Sequence, residues 1–551
     1  MVILQNEIKT TFMGKRLKLP AGIQTFEKLR EDCIYVDKTK FLIDLIDTGS
    51  AYFLARPRRF GKSLTITTFD SLFSGKKELF KGLYAEEFLN RPDFKPSPVI
   101  RLDMSVIYAD DGIKQMKDSI KQITLEKANS LEVVIPNNLN YSDTFRNLIV
   151  ETSKKYSSKV VILVDEYDKP YTDFVDNIKM ATKVRDILRY FYTQIKANDG
   201  YIKFIFLTGI SKFTKMGVFS TLNNLVDISL DEEYTEICGY TEEEIIRYFD
   251  DYLEITGNKF GVSKDDLIKK MRTFYNGFSF NGTTKLYNPF STLLFFREKE
   301  FDNFWIESGS SALIAKYLKD KKLTVEEFRN MQITRDFARS PGEMETTPPH
   351  GFLFQAGYLS LRKDEKDKYC LDYPNTEVLN SMSVLFSQNI LQETNDDFTY
   401  CRTDLLEAFE STDYDLLVEV FNRLLASIPY EDFEGAAKRS VRNNKFGFTA
   451  REWMYRSVIL SFLRGCGVVV FAEMHTNLGR PDLVISNRGK IWIIELKVAL
   501  KGENPKLKVE KAMKQIKDMN YANPYPDAVC VAMVIDDEKR QITEHNHILK
   551  T

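Results

Sequence analysis

The sequence lacks any long hydrophobic run. Nowhere among its 551 residues do about 18 uncharged apolar residues follow one another, so the sequence predicts no membrane-spanning helix. The N-terminal segment carries only a short apolar run at residues 2–4 and no signal-peptide core. These absences lead us to expect a cytoplasmic protein without a membrane partner.

Cysteine, histidine clusters and excess charge are lacking as well. The six cysteines are scattered without a C-x-x-C pair, which is typical of reduced cytosolic thiols rather than disulfides or zinc ligands. His475, His545 and His547 form no zinc pattern. The formal net charge is only −2, so any binding of nucleic acid must come from local basic patches.

The chain has an ordinary globular composition, with 43% apolar and 28% charged residues. Its length exceeds what one hydrophobic core usually spans, so several domains are expected. Through residues 20–230, apolar β-branched runs alternate with amphipathic stretches, which predicts a parallel α/β sheet. The candidate strands are Ala51–Ala55, Val99–Asp103, Val160–Asp165 and residues 204–208.

From residue 239 the pattern becomes helical. Thr241 and Glu244 form a capping box that opens a helix-rich stretch, and residues 339–349 are expected to be a linker. Residues 351–361 and 369–373 are predicted as two strands of a winged-helix-like module, followed by helices. After Thr449 comes an order of helix, three strands, helix and strand. We therefore expect four regions: an ATPase-like domain (1–238), a helical lid (239–345), a winged-helix-like and helical region (346–440) and a C-terminal α/β domain (441–551).

The first chemical signal is YFLARPRRFGKS at residues 52–63, which ends in Gly61, Lys62 and Ser63. Gly-Lys-Ser alone occurs by chance, but here it lies between a candidate strand and a candidate helix at residues 64–73. Backbone N–H groups at such a junction cradle phosphate oxygens. Lys62 would contact the β- and γ-phosphates of ATP, and Ser63 would ligate Mg²⁺. The expected nucleotide-binding residues are Arg58, Arg59, Phe60, Gly61, Lys62, Ser63, Leu64, Asp165 and Thr208.

Two later strands end in polar residues that suit a nucleotide site. The apolar run before Asp165 and Glu166 would present both carboxylates at its end, Asp165 to hold Mg²⁺ and Glu166 to polarise the attacking water. Thr208 ends the next strand, where it is placed to sense the γ-phosphate. Each element alone fits any α/β domain with buried strands, whereas all three in this order favour an ATPase.

Arg56 stands where such a loop usually has glycine, so the loop must turn without that glycine. The sequence leaves two alternatives open for Arg56, Arg58 and Arg59. They add positive charge near the phosphates, or they are simply solvated.

Residues 17–300 resemble the prokaryotic AAA-ATPase-like family, in which the loop commonly reads RPRRFGKS. The other matching segments are YVDKT at 35–39, LTGISK at 207–212, YNG at 275–277 and YNPFS at 287–291. The resemblance implies a P-loop ATPase of the AAA type with ATP and Mg²⁺ as cofactors. No arginine stands in an unmistakable arginine-finger position.

The second chemical signal is GRPD at 479–482 followed by KIWIIELK at 490–497. Glu495 and Lys497 are two apart on a predicted strand, so their side chains leave the same face, and a hairpin can bring Asp482 beside Glu495. Two carboxylates and a lysine make a Mg²⁺ site suited to cutting phosphodiesters, with Asp482 and Glu495 as ligands and Lys497 acting on the water. The alternative is an amphipathic hairpin with a surface Glu–Lys pair.

The order of elements at residues 445–540 resembles the PD-(D/E)XK nuclease superfamily. Glu452, on the helix predicted at 449–464, would reach the metal through water, with Glu473 as the rival for that role. Gln515 and Tyr521 match the "QI…Y" element that such nucleases often carry. Basic residues surround the region and together could follow a nucleic-acid backbone, DNA in the first instance: Lys438, Arg439, Arg442, Lys445, Arg451, Lys501, Lys506, Lys508, Lys511, Lys514 and Lys517.

Two functions follow from these patterns. The favoured one is ATP-regulated, Mg²⁺-dependent cleavage of DNA. Assembly of the chain into a homo-oligomer is left open. The rival is a nucleotide-gated switch whose nuclease-like domain only holds nucleic acid or a partner. Both require ATP binding, and only the first requires Asp482, Glu495 and Lys497 together.

Overall fold

The computed structural model describes residues 11–12, 15–109, 112–212, 224–305, 314–315, 325–339, 348–364, 366, 368–391, 395–427, 449–472, 480–487, 490–525 and 527–549. The chain forms two compact units. The first comprises Met1–Lys316 and Asn330–Val378, and the second comprises Tyr317–Arg329 and Leu379–Thr551. The four regions expected from the sequence remain a prediction.

The first unit is built on a parallel sheet whose strand order is β4-β5-β6-β3-β7. Strands β3 and β5 are buried along their whole length, as expected for a sheet covered by helices on both faces. The predicted strands are confirmed, with β6 longer than expected. The strands up to residue 227 are β1 (Thr11–Phe12), β2 (Lys15–Arg16), β3 (Ala51–Ala55), β4 (Val99–Asp103), β5 (Val160–Asp165), β6 (Ile202–Gly209) and β7 (Val226–Asp227).

Amphipathic helices connect these strands and cover the sheet. Their apolar faces are buried; α8, for example, buries Val184, Leu188, Phe191 and Ile195 at helical spacing. The helices are α1 (Phe26–Asp32), α2 (Thr39–Thr48), α3 (Lys62–Phe73), α4 (Ala85–Leu89), α5 (Ile113–Ser130), α6 (Tyr141–Tyr156), α7 (Lys169–Thr172) and α8 (Ile178–Ala197).

A helical lid follows the sheet and begins at the predicted capping box. The Thr241 hydroxyl accepts a hydrogen bond from the Glu244 N–H, and the Glu244 carboxylate accepts one from the Thr241 N–H. Ile34 and Val36, which precede β3, share a core with the lid helices. The helices are α9 (Glu242–Tyr248), α10 (Asp250–Phe260), α11 (Lys264–Tyr275) and α12 (Pro289–Glu298).

Of the two strands predicted here, the second is confirmed at Tyr369–Asp372, but the first, predicted at residues 351–361, is a strand only from Ser360. Pro349 occupies the first turn of a helix that runs to Gln355, and Gly357, with φ of 85°, ends the turn before strand β9 begins at Ser360. A short apolar run bounded by turn residues fits a buried strand or a buried helix equally well. Residues 340–347 of the expected linker lie outside the described residues. The elements here are β8 (Met331–Gln332), α13 (Arg335–Arg339), α14 (Pro349–Gln355), β9 (Ser360–Lys363) and β10 (Tyr369–Asp372).

The second unit is a mixed sheet with the order β11-β12-β13-β14-β15, in which only the β13–β14 pair is parallel. Helices α16 to α18 share a core with one face, and α19 covers the other. The boundary between the units falls within α15. The elements are α15 (Thr376–Leu391), α16 (Asn395–Ser411), α17 (Tyr414–Ala426), α18 (Ala450–Gly465), β11 (Val469–Ala472), β12 (Leu483–Asn487), β13 (Lys490–Ala499), α19 (Pro505–Asp518), β14 (Val529–Asp536) and β15 (Gln541–Leu549).

Candidate active sites

The phosphate loop turns from β3 into α3 at Gly61, whose φ of 99° is one that residues with a Cβ rarely adopt. Lys62 therefore opens the helix, and its side chain is only 3% exposed. Its Nζ donates to the Pro57 carbonyl at 3.1 Å and lies 3.8 Å from Glu166 Oε1. The ammonium group is held over the loop, at the N-terminal end of a helix, where anions bind favourably.

Sheet order brings three of the predicted residues together. Strand β6 lies between β3 and β5, so Thr208 stands beside Asp165 and donates to its Oδ1 at 2.7 Å. Burial raises the pKa of the Asp165 carboxyl, while hydrogen bonds from Ser63 and Thr208 oppose that shift. Ser63, Asp165 and Thr208 are thus linked by hydrogen bonds, and a nearby cation would stabilise the ionised form of the Asp165 carboxyl.

Glu166 follows Asp165 in a left-handed backbone conformation, with φ of 51°. Such a conformation costs a residue other than glycine roughly 1 kcal/mol and is concentrated at functional sites. It directs the Glu166 carboxylate toward Lys62 and into the cavity beside the phosphate loop.

A cavity of about 390 Å³ lies next to this group, a size typical of small-molecule pockets. Its walls include every predicted nucleotide-binding residue except Thr208, which instead donates its hydrogen bond to Asp165. The sequence interpretation missed several other lining residues, although Phe290 belongs to a family segment. These missed residues include Asp103, Ser105, Lys169, Tyr240 and Phe290.

Lys38, in the YVDKT segment, also lines this cavity and connects it to the lid. Its Nζ lies 2.6 Å and 2.7 Å from the two carboxylate oxygens of Glu244. Because Glu244 also closes the capping box of α9, the lid helix is fixed to the segment that precedes β3. The neighbouring Asp37 accepts hydrogen bonds from Thr39 at the start of α2.

Arg56 follows neither of the two expected alternatives. Its guanidinium group is buried and donates to the carbonyl oxygens of four residues, while its Cζ lies 4.0 Å from the centre of the Phe280 ring. Burial lowers its pKa to about 10. Arg56 thus fastens the loop to the chain after β7, in place of contacting phosphates. The four acceptors are Ala55, Ser229, Tyr234 and Thr235.

We expect Arg56→Met to lower the free energy of unfolding by about 3 kcal/mol, because several buried carbonyls lose a charged donor. Urea denaturation, followed through the unfolding of the first unit, measures this change in the free energy of unfolding. The matched control is Arg91→Met, which removes an exposed pair with Asp47 and should cost less than about 1 kcal/mol. Equal effects of the two substitutions would contradict the structural role of Arg56.

Asp168, two residues beyond Glu166, is a fully buried carboxylate that sequence reasoning missed. It accepts hydrogen bonds from the Ser211 N–H at 2.8 Å and the Ile210 N–H at 3.3 Å, and so holds the segment that follows β6. Burial raises its pKa to about 6. A Cβ at Gly209 would lie 2.3 Å from its Oδ1, so only glycine allows this approach. Nothing in the local sequence indicates that Asp168 is buried.

In the second unit, antiparallel register brings the predicted carboxylates together. Leu483 pairs with Ile494 across β12 and β13, which places Asp482 opposite Glu495. Asp482 Oδ2 accepts a hydrogen bond from the Leu496 N–H at 2.8 Å. Glu495 Oε1 lies 2.8 Å from Lys497 Nζ. The three residues therefore form one cluster at the end of the hairpin.

The electrostatics of this cluster fit a divalent cation. Burial, together with the charge of Asp482, raises the pKa of Glu495 to about 7, and burial raises the pKa of Asp482. Glu495 Oε2 is buried and has no hydrogen-bond partner among the described residues. Such an orphaned carboxylate oxygen is costly unless a cation binds it. The part of the chain that the structure describes contains no group of three or more metal-ligating side chains. Mg²⁺ is commonly bound by one or two carboxylates and keeps several waters.

Glu452 lies at the N-terminus of α18 and lines a small cleft together with Asp482. Its carboxylate accepts hydrogen bonds from the Thr449 N–H and hydroxyl, each at 3.1 Å, and so caps the helix. A water-mediated contact of Glu452 with a metal remains a prediction. Glu473, its rival, lies outside the described residues.

Arg456, one helical turn after Glu452, is bonded to the backbone of Asp482. It is 7% exposed, and its Nε and Nη2 donate to the Asp482 carbonyl at 3.3 Å and 3.1 Å. The spacing of four residues from Glu452 was the signal available in the sequence. Arg456 fixes the backbone of Asp482 from α18.

We expect Arg456→Met to weaken binding of Mg²⁺ at the Asp482–Glu495 pair by roughly 10- to 100-fold, the range typical of residues that orient metal ligands. Arg456→Lys should restore part of the affinity. Arg402→Met is the control, because Arg402 donates to the Cys466 carbonyl at 3.1 Å without touching the cluster. An unchanged metal dependence in a folded Arg456→Met protein would refute the positioning role.

Gln515 and Tyr521 lie with α19, on the sheet face opposite α18 and on the same face as Glu495. Gln515 Nε2 donates to the Tyr521 hydroxyl at 3.1 Å. Burial raises the pKa of Tyr521, and the charges of Glu495 and Asp482 add to the shift. The predicted pair therefore stands near the carboxylates.

Two known protein families match separate parts of this chain. Residues 20–219 match a family described as "Predicted AAA-ATPase", and residues 450–545 match the PD-(D/E)XK nuclease superfamily. A protein of Azotobacter chroococcum mcd 1, named "Uncharacterized protein in vnfD 5'region", is 34% identical over 517 residues, 93% of this chain and 94% of that protein. The chain belongs to the AAA-ATPase-like family with a C-terminal PD-(D/E)XK domain.

The AAA-ATPase-like and PD-(D/E)XK nuclease domains indicate a hydrolase, and such domains generally use a nucleotide and a divalent metal. Cdc6p from Pyrobaculum aerophilum is a similar solved structure, with 10% identity, a TM-score of 0.24 and coverage of 65% of this chain and 93% of that one. That score is too low to carry an argument. Within the described ranges, no helix is both long and apolar enough to span a membrane.

Proposed function

We propose that this member of the family binds and hydrolyses ATP in its first unit and cuts DNA with Mg²⁺ in its second, under the control of ATP. The observation that carries the proposal is the convergence of Asp482, Glu495 and Lys497, with one Glu495 oxygen buried and unpartnered. An amphipathic hairpin with a solvated Glu–Lys pair would leave both carboxylates exposed, whereas Asp482 is 4% and Glu495 1% exposed.

In the ATPase half, Lys62 and the loop N–H groups bind the β- and γ-phosphates. Ser63 and Asp165 would hold Mg²⁺, which neutralises phosphate charge when bound. Glu166 accepts a proton from the attacking water, since its carboxylate already reaches into the cavity. Thr208 keeps Asp165 in place through their hydrogen bond.

In the nuclease half, Asp482 and Glu495 would hold Mg²⁺, which supplies positive charge against the phosphodiester when bound. The Leu496 N–H and Arg456 keep Asp482 opposite Glu495. Lys497 is held beside the carboxylates by Glu495, and the negative charge of Glu495 raises the pKa of Lys497 despite its burial. Lys497 therefore stays protonated, which suits a residue that orients water or stabilises negative charge on the phosphate.

The test is incubation of the purified chain with circular DNA, linear DNA and RNA, with and without ATP and with and without Mg²⁺. We expect cleavage only with Mg²⁺, at a rate that changes when ATP is added and no longer responds to ATP in Lys62→Ala. Cleavage of RNA alone would overturn the choice of DNA. Binding of DNA without cleavage under any of these conditions would favour the nucleotide-gated switch.

A further inference from the structure

Helix α19 covers the sheet face from which Glu495 and Lys497 project. It buries Val509, Ala512, Met513 and Ile516 against strands β13 and β14. At about 100° per residue these four positions form one stripe, and the opposite side of the helix faces solvent. The exposed side carries Lys506, Lys511, Lys514 and Lys517.

Two contacts fix the edge of α19 that borders the nuclease cluster. Lys508 Nζ donates to the Val498 carbonyl at 2.6 Å, one residue after Lys497 on β13. Gln515 is bonded to Tyr521 near the carboxylates. Lys508, Lys511 and Gln515 are spaced i, i+3 and i+7 and share one helix face, so Lys511 lies one turn from each anchor.

Lys514 lies one turn after Lys511 on the exposed side of α19, and the charges on this side are not balanced. Lys508 is paired with Glu503 at 2.6 Å. Among the described residues, neither Lys511 nor Lys514 forms an ion pair. The pKa of the Glu503 carboxyl is lowered chiefly by its hydrogen bond from Lys508 and only slightly by the charge of Lys511. Glu510 and Asp518 are the acidic residues within the helix itself.

We propose that Lys511 and Lys514 bind backbone phosphates of a DNA duplex whose scissile phosphate lies at the Asp482–Glu495–Lys497 cluster. The proposal rests on the proposed nuclease function, because that function supplies the polyanion. The two exposed ammonium groups complement the phosphates without reading bases, so binding is independent of sequence.

The experiment measures the affinity of the full chain for a fluorescent DNA duplex in EDTA over a range of salt concentrations. For B-DNA the slope of log K against log salt changes by about 0.9 per phosphate contact. We expect the double variant Lys511→Ala/Lys514→Ala to bind roughly 10-fold more weakly and to lose about 1.8 from that slope. The control Lys506→Ala/Lys517→Ala removes the same charge from the same helix, on the edge that faces away from Gln515, and should change the slope by less than half as much.

Each outcome has a definite meaning. Equal slopes for wild type and the Lys511/Lys514 variant, an equal loss in the control, or no binding of DNA by the wild type would overturn the surface. Cleavage with Mg²⁺ is measured on the same proteins. If wild type cuts DNA and the double variant binds and cuts equally well, the surface fails while the nuclease stands. If the double variant loses affinity but wild type never cuts, the nuclease fails while the surface stands.

Discussion

Glu166→Gln is expected to leave ATP binding close to wild type and to reduce ATP turnover by about 10²- to 10⁴-fold, the usual contribution of a positioned general base. Glutamine keeps the size of the side chain that faces Lys62 across 3.8 Å but cannot accept the proton of the attacking water. Binding of labelled ATP and release of phosphate measure the two effects separately. Lys62→Ala should behave differently and lose binding itself, because the loop then lacks its charge on the phosphates.

The control for Glu166 is Glu132→Gln, the same chemical change at a side chain that is 86% exposed. It should leave both binding and turnover unchanged. Wild-type turnover by Glu166→Gln would show that another group activates the water. Wild-type binding by Lys62→Ala would reject the phosphate loop itself.

Asp482→Asn is expected to reduce Mg²⁺-dependent DNA cleavage by about 10³-fold or more while ATP hydrolysis stays near wild type. Asparagine retains an oxygen for the Leu496 N–H at nearly the same place, so the hairpin should remain folded. What it removes is one of the two negative charges that would hold the metal. Gel assays of cleavage and phosphate-release assays on the same preparation test both halves of this expectation.

Asp527→Asn is the matched control. Asp527 is exposed just before β14, and its φ of 26° is one that asparagine tolerates. It should cut DNA at the wild-type rate. If Asp482→Asn also did so, the nuclease assignment would fail and the nucleotide-gated switch would take its place.

Much of each site was predictable because its residues lie at strand ends. Asp165 and Thr208 each follow a continuous apolar run, and such runs become buried parallel strands whose carboxyl ends share one edge. Asp482 and Glu495 were predictable because a short hairpin between two apolar segments leaves few possible registers. In both cases local pattern and sheet geometry agree.

The rest depends on contacts that are distant in sequence. Arg56 is fastened to carbonyls more than 170 positions away, and Arg456 to a carbonyl 26 positions away. No local pattern indicates where a buried arginine finds its acceptors. Asp168 is similar, since the Ser211 N–H that it binds comes from the segment after β6, 43 positions away. Residues 351–361 show the remaining limit, because a short apolar run does not distinguish a buried strand from a buried helix.

The measurement that bears most directly on the central claim is the rate of DNA cleavage by Lys497→Ala. Lys497 is not a metal ligand in this account, so Mg²⁺ should bind the variant while the positive charge beside Glu495 is gone. We expect cleavage to fall by about 10²- to 10³-fold, with ATP hydrolysis unchanged. Cleavage at the wild-type rate would contradict the assignment of a nuclease active site to Asp482, Glu495 and Lys497.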